Sequence, residues 1–397
     1  MNFQRWEPRK LGAAASAHLD LIRGVAALAV MWGHLRTLFF VDFGHLQNPG
    51  WLLKIIYFST GFGHQAVMVF FVLSGFLISS TVIKSHFSGT WSWRDYAINR
   101  STRLYVVLIP GLLLGLVWDF IGSQIFASSG VYSHPLSALG PAIPTDNLTV
   151  GSFFGNLFFV QTILCPSFGS NGPLWSLANE FWYYALFPLS LSAGLAWARR
   201  SIRSAVPLTA LVLLFVFFLG RDKLIGFLIW IAGCALVLAY ARFRVGAKSW
   251  LLLYIVASSV ALWRCLTAAR ASLSSLFASD LAVGLAFALF LFGILQLEIG
   301  ARSPNYVGMS RRLARFSYSL YVLHFPFLLF LRSWIVPAER WQPSLTKMLY
   351  ATLVGFGVLS FAWLVSLCTE DKTRQVRDLV QRISTQWSTR PPRSDSI

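Results

Sequence analysis

The chain has 397 residues, 56% hydrophobic and only 12% charged, with a mean hydropathy of +0.62. That balance excludes a soluble globular domain, which needs about twice as much charge to cover its surface, and implies a polytopic membrane protein. A net charge of +18 would suit nucleic acid, but in so apolar a chain basic residues gather at the cytoplasmic ends of membrane helices, so no nucleic-acid partner is expected.

A crossing takes about 20 apolar residues. In chain order, ten stretches reach or approach that length: 19–41, 55–82, 103–125, 174–198, 204–219, 224–241, 249–267, 278–298, 315–334 and 345–368. The fifth and sixth are short. No cleavable leader is read, because the first apolar stretch lacks a small-x-small cleavage site. Segment 150–164 is apolar but too short to cross and is expected to be interfacial or re-entrant. With the N-terminus cytoplasmic, 23 of the 33 Lys and Arg fall in inside segments and 7 in outside ones. Arg23, Arg36 and Arg332 lie within spans, the last two near span ends where they can snorkel. The bias predicts that both termini are cytoplasmic.

The expected fold is therefore all-α: a membrane helical bundle over residues 1–368, with 369–397 a basic cytoplasmic tail without stable structure. Residues 126–173 form a long outer loop with no Lys or Arg, either a lid or acceptor entrance or a slack linker. Cys165, Cys234, Cys265 and Cys368 stand alone at wide spacings, so neither a disulfide framework nor a metal site is expected. Asn147 to Thr149 spells a glycosylation sequon, a motif frequent by chance. No internal repeat is evident, which weighs against a transporter built on inverted repeats.

Ionisable residues inside spans cost roughly 2.5–3.5 kcal/mol each and are functional candidates. In the first span, Arg23 and His34 are 11 residues apart, about three turns and about 16 Å along one helix face. Asp20 lies one turn below Arg23 on that face. Gly24 and Ala27 beside this stripe would admit a neighbouring helix or a ligand. In the second span Ser74-Gly75 is either plain helix packing or a close backbone approach to a substrate. Arg100 and Arg103, at i and i+3, open the third span; they are either positive-inside anchors or a phosphate fork. Glu180 sits among aromatics in the outer part of its span, at the depth of His34. Trp175 and Ser176 suit a sugar face or the aromatic belt. Tyr318, Tyr321 and His324 share one broad face of a later span.

These stretches, in this order, resemble the acyltransferase-3 family of membrane O-acyltransferases, which modify bacterial surface glycans, lipopolysaccharide O-antigen, Nod factors and macrolides. The resemblance rests on Arg23 with His34, an FFxxSGF-like stretch at Phe70 to Phe76, RxxR at Arg100 and Arg103, a WSLxxE stretch at Trp175 to Tyr184, and SYxLYxxHxP at Ser317 to Pro326. It spans roughly residues 15–368. Val322 replaces the usual Leu, and Asn179 precedes Glu180. Some members carry an additional SGNH hydrolase-like domain after the bundle; none is read within these residues.

The resemblance implies an acyl-CoA donor, most often acetyl-CoA, used as a co-substrate with no permanently bound cofactor. Arg100 and Arg103 would meet its phosphates, and the pantetheine arm would follow the stripe from Arg23 to His34. His34 would act as general base or as an acyl relay. Ser74, Tyr321 or backbone N–H groups would stabilise the oxyanion. Glu180 would orient the acceptor or pair with His34, and Asp20 with Arg23 would steer donor entry. Ser176, Trp175 and His324 complete the expected substrate contacts. The acceptor is expected to be a sugar hydroxyl, with a lipid or macrolide-type molecule, or a transporter or flippase activity, as alternatives. The expected location is the bacterial inner membrane.

Overall fold

The computed structural model describes residues 11–135, 143–246, 248–271, 276–297, 303–336 and 339–388. They form helices, joined by turns and two isolated bridges. In order these are α1 (Ala13–Phe39), α2 (Trp51–Ser59), α3 (Gly63–Phe87), α4 (Trp93–Ile125), α5 (Val150–Leu157), α6 (Leu174–Ala198), α7 (Ile202–Arg242), α8 (Lys248–Ala271), α9 (Leu276–Ile294), α10 (Pro304–Arg315), α11 (Ser317–Ile335), α12 (Leu345–Cys368) and α13 (Thr373–Ser388). Their starts are written locally: the Ser92, Thr149, Ser303 and Ser344 side chains cap α4, α5, α10 and α12, and Pro304 opens α10.

Among the described residues, seven helices are long and apolar enough to cross a membrane, and Ala278–Ile294 is a shorter apolar helix. The chain is thus an all-α, multi-pass membrane bundle. The expected total of ten crossings is not reached by length and composition. One counted helix, α7, contains both the fifth and the sixth expected spans within its 41 residues. A straight helix of that length would run about 60 Å, twice the hydrocarbon thickness. Gly220, at φ 71°, breaks it into two apolar halves.

The 370–388 part of the tail expected to lack structure is helical. A short turn of helix at Glu370–Lys372 leads into α13, which packs on α4. Arg94 donates to Ser384 at 2.9 Å, and Arg315 pairs with Asp371. The closing residues 389–397 lie outside the described residues. Segment 150–164 contains α5 and then turns, rather than a span.

Helix α1 packs between α3, α10 and α11. Small residues set these distances. A methyl at Gly24 would meet Leu313 Cβ at 2.6 Å, so this glycine admits α10. A methyl at Gly75 would fall on the Trp230 carbonyl oxygen, and one at Gly233 on that of Val72. Ser74-Gly75 is therefore split in role: Gly75 is helix packing against α7, while Ser74 faces a cavity.

Candidate active site

Two cavities meet inside the bundle. The first, about 400 Å³, lies between α1, α3, α4, α6 and α11, and is lined by Arg23, Ser74, Arg100, Arg103, Glu180 and Tyr184 among others. The second, about 460 Å³, is lined by His34, His64, Asn147, Thr162, Trp175 and Pro173 among others. Tyr321 lines both.

The first cavity collects the charges of three helices. Asp20 and Arg23 pair at 3.8 Å, as their i, i+3 spacing on α1 predicts, and Arg23 projects onward into the cavity. Arg100 and Arg103 enter from α4; the Arg100 guanidinium lies over the Tyr96 ring at 5.8 Å. Glu180 arrives from α6 beside Ser74 and Tyr184, with Arg103 and Arg23 as its cationic neighbours. The expected pairing of Glu180 with His34 is therefore not what the fold builds. Glu180 lines the cavity of Arg23 and Arg103, whereas His34, eleven residues along α1 from Arg23, lines the other with Pro173 and Trp175. Ser74 Oγ donates to the Tyr184 hydroxyl at 3.3 Å and accepts from Trp230 Nε1 at 3.2 Å.

Tyr321 forms the wall between the cavities. Its hydroxyl lies 2.8 Å from the Pro173 carbonyl and 2.6 Å from Ser176 Oγ. A carbonyl only accepts, so Tyr321 donates to Pro173 and Ser176 donates to Tyr321. The Tyr321 proton is thus committed, and an oxyanion role would first have to break that bond. Tyr318, one turn earlier, lines the first cavity and donates to the Leu104 carbonyl at 3.1 Å.

In the second cavity His34 Nδ1 lies 2.8 Å from Nε2 of His324. His324 is 1% exposed, and its Nδ1 lies against the carbonyls of Leu320 and Tyr321. Sequence spacing placed both histidines in the membrane, and the fold brings them into contact. His324 itself touches neither cavity wall, so it is behind His34 rather than a direct substrate contact. Trp175 is half-buried and stacks at 6.0 Å on His64.

Several contributors were not singled out in the sequence, although His64, Asp119 and Asp280 are ionisable residues within expected spans. His64 Nε2 binds both carboxylate oxygens of Asp280, 2.9 and 3.0 Å away and 216 residues on. Asp119, 1% exposed in α4, accepts from the Ser170 N–H and hydroxyl, both at 2.7 Å. Asn171 Nδ2 donates to the Val322 carbonyl at 2.9 Å. Pro326 has no N–H to return to that carbonyl, so the sequence leaves this acceptor open for the loop. These bonds make residues 162–173 a fixed wall of the second cavity rather than slack. Glu370 accepts from the Ser319 N–H and hydroxyl at 3.1 and 3.0 Å, near Arg103 and Arg23. Arg332, expected to snorkel, is 5% exposed and donates to the Leu38 carbonyl at 2.9 Å. Arg36 lies over the Tyr57 ring at 5.0 Å.

Comparison with known proteins adds three relatives. The chain is 27% identical over 201 residues to "Putative peptidoglycan O-acetyltransferase YrhL" of Bacillus subtilis (strain 168), across 49% of this chain and 26% of that protein. It is 33% identical over 169 residues to "Acyltransferase MdmB" of Streptomyces mycarofaciens, across 42% of this chain and 37% of the relative. It is 24% identical over 192 residues to "Nodulation protein 10" of Rhizobium leguminosarum bv. viciae, across 46% of each. The matches thus span between a quarter and a half of each relative's length. No solved structure matches the chain significantly. A family model described as an acyltransferase domain matches residues 16–367, nearly the whole bundle, and the chain belongs to that acyltransferase family.

Proposed function

We propose that this membrane protein moves an acyl group, most simply acetyl, from cytoplasmic acyl-CoA to a sugar hydroxyl of a cell-surface or secreted glycan. One observation carries the reading: a cavity holding Arg23, Arg100 and Arg103 abuts, across Tyr321, a cavity holding His34. Arginines suit the donor's phosphates through fork-shaped hydrogen bonds. The Nε atom of Arg100 is enclosed and, among the described residues, has no hydrogen-bond partner, as expected of a group awaiting a ligand. The acyl-pantetheine end would extend past Tyr321 toward His34.

The acceptor oxygen then attacks the thioester carbonyl carbon. A C–O bond forms, the hydroxyl proton passes to His34, and the C–S bond breaks to release the thiolate, which is reprotonated. A positioned imidazole contributes about 10²–10⁴-fold to such a step. Trp175 offers its ring face to a saccharide from the second cavity. The loop-charge bias supports cytoplasmic termini, a donor entrance on that side and residence in the bacterial inner membrane.

The test is glycan O-acetylation in cells carrying His34→Ala or Arg23→Ala at matched protein level. Loss in both supports the reading. Full acetylation with His34→Ala would overturn it. Purified protein given labelled acetyl-CoA should release thiol when a saccharide acceptor is added.

A further inference from the structure

We infer that His324 is a positioning residue that fixes the tautomer of His34 and receives its second proton, an inference that rests on His34 being the base. His324 Nδ1 lies 3.0 Å from the Leu320 oxygen and 2.8 Å from the Tyr321 oxygen. Carbonyl oxygens only accept, so Nδ1 of His324 carries the hydrogen. The other nitrogen of a neutral ring is then bare. That bare Nε2 is the atom 2.8 Å from His34 Nδ1, so His34 Nδ1 is the donor. His34 is left with its lone pair on Nε2.

The ring geometry agrees. The two imidazoles are 16° from coplanar with centroids 5.1 Å apart, which suits an in-plane hydrogen bond rather than a face-to-face stack. Phe325 closes on His34 edge-on at 5.0 Å. His34 borders the second cavity and His324 does not, so the edge of His34 away from His324 is the one available to the acceptor. Helix α11 thus writes the tautomer of a base on α1, through two backbone oxygens and one buried ring.

The same contacts give a balanced proton path. The acceptor O–H proton moves to His34 Nε2 as the C–O bond forms. The His34 Nδ1 proton moves to His324 Nε2. Positive charge passes to His324, where the two carbonyl dipoles facing its Nδ1–H offset part of the cost of charging a buried ring. When the C–S bond breaks, the sulfur takes a proton back along the same pair, and both rings return to neutral.

Two measurements test this. In protein labelled with [¹⁵N]histidine, the His34 signals, assigned by their loss in His34→Ala, should show a protonated Nδ1 and a bare Nε2. Kinetically, His324→Gln keeps an acceptor near the position of Nε2, whereas His324→Leu keeps none. His324→Leu should lower kcat by on the order of 10²-fold with KM for acetyl-CoA unchanged, and His324→Gln should recover most of that loss. A His34 ring protonated at Nε2 in the unaltered protein, or equal kcat for the two variants, would overturn the inference. An active His34→Ala protein would instead overturn the acyl-transfer reading on which it rests.

Discussion

Tyr321 and Ser176 share a 2.6 Å hydrogen bond at the boundary between the arginine cavity and the histidine cavity. With the Tyr321 bond to Pro173, it holds α11, α6 and the loop before α6 at one point. Tyr321→Phe keeps the ring but removes the hydroxyl, leaving the Pro173 carbonyl and the Ser176 hydroxyl without this partner. Buried unsatisfied groups of this kind cost about 1–3 kcal/mol, so thermal stability in detergent should fall. A loosened wall should also admit water to the thioester. We expect acyl-CoA hydrolysis without acceptor to rise while transfer to acceptor falls. If both rates match the parent protein, Tyr321 is not the partition.

Arg100 should act on donor binding rather than on chemistry. It lines the first cavity and not that of His34, with an enclosed Nε and a tyrosine beneath its guanidinium. Arg100→Ala should raise KM for acetyl-CoA several-fold with little change in kcat, and Arg100→Lys should recover only part of it, because an ammonium lacks the planar fork. Steady-state kinetics with acetyl-CoA varied decide this. A variant whose kcat falls at unchanged KM would move Arg100 out of the donor site.

Helical spacing made much of this site readable, and it failed where azimuth mattered. The i, i+3 relation of Asp20 and Arg23 predicted their pairing, because both lie on one helix. His34 and His324, both read as lying in apolar spans, meet at 2.8 Å. What a single helix cannot reveal is which neighbour its polar face meets. Glu180, expected beside His34, instead faces Ser74 and the arginines of the other cavity. His64 finds Asp280 across 216 residues, and Asp119 finds Ser170 across 51. Such pairs exist only once the helices are packed. The tail misled for another reason: its low apolar content reads as disorder, yet α13 folds by laying itself on α4.

Asp42 and Arg340 tie the end of α1 to the segment before α12, outside the membrane-spanning helices. The guanidinium meets both carboxylate oxygens, at 2.7 and 3.1 Å. The Arg340 hydrogen bonds hold the Asp42 carboxyl below its usual range. A depressed folded value means that the unfolded chain binds the proton first as pH falls. The stabilisation is therefore complete above the ordinary aspartate range and is lost as pH drops through the folded value. Asp42 is 46% exposed, so the pair is worth less than about 1 kcal/mol. Thermal melts in detergent should show the parent protein slightly more stable than Asp42→Asn at neutral pH, with the gap closing in acid. A gap that widens in acid would contradict this assignment.

Asp119 should govern the acceptor side without touching the donor side. Its carboxylate, buried in α4, takes two hydrogen bonds from Ser170 and so fixes the loop that walls the second cavity. A methyl on the adjacent Gly169, at φ 55°, would collide with that carboxylate, so the approach is close as well as bonded. Leaving the buried Ser170 N–H and hydroxyl without this partner costs about 1–3 kcal/mol. Asp119→Ala removes both bonds and should loosen residues 162–173, whereas Asp119→Asn keeps one acceptor oxygen and should lose less. Because Thr162, Ser167 and Pro173 line the histidine cavity and not the arginine cavity, the loosening should raise KM for the acceptor and leave KM for acetyl-CoA unchanged. Limited proteolysis should cut the loop faster in the alanine variant. An equal rise in both Michaelis constants would mean that Asp119 supports the whole bundle and not this wall.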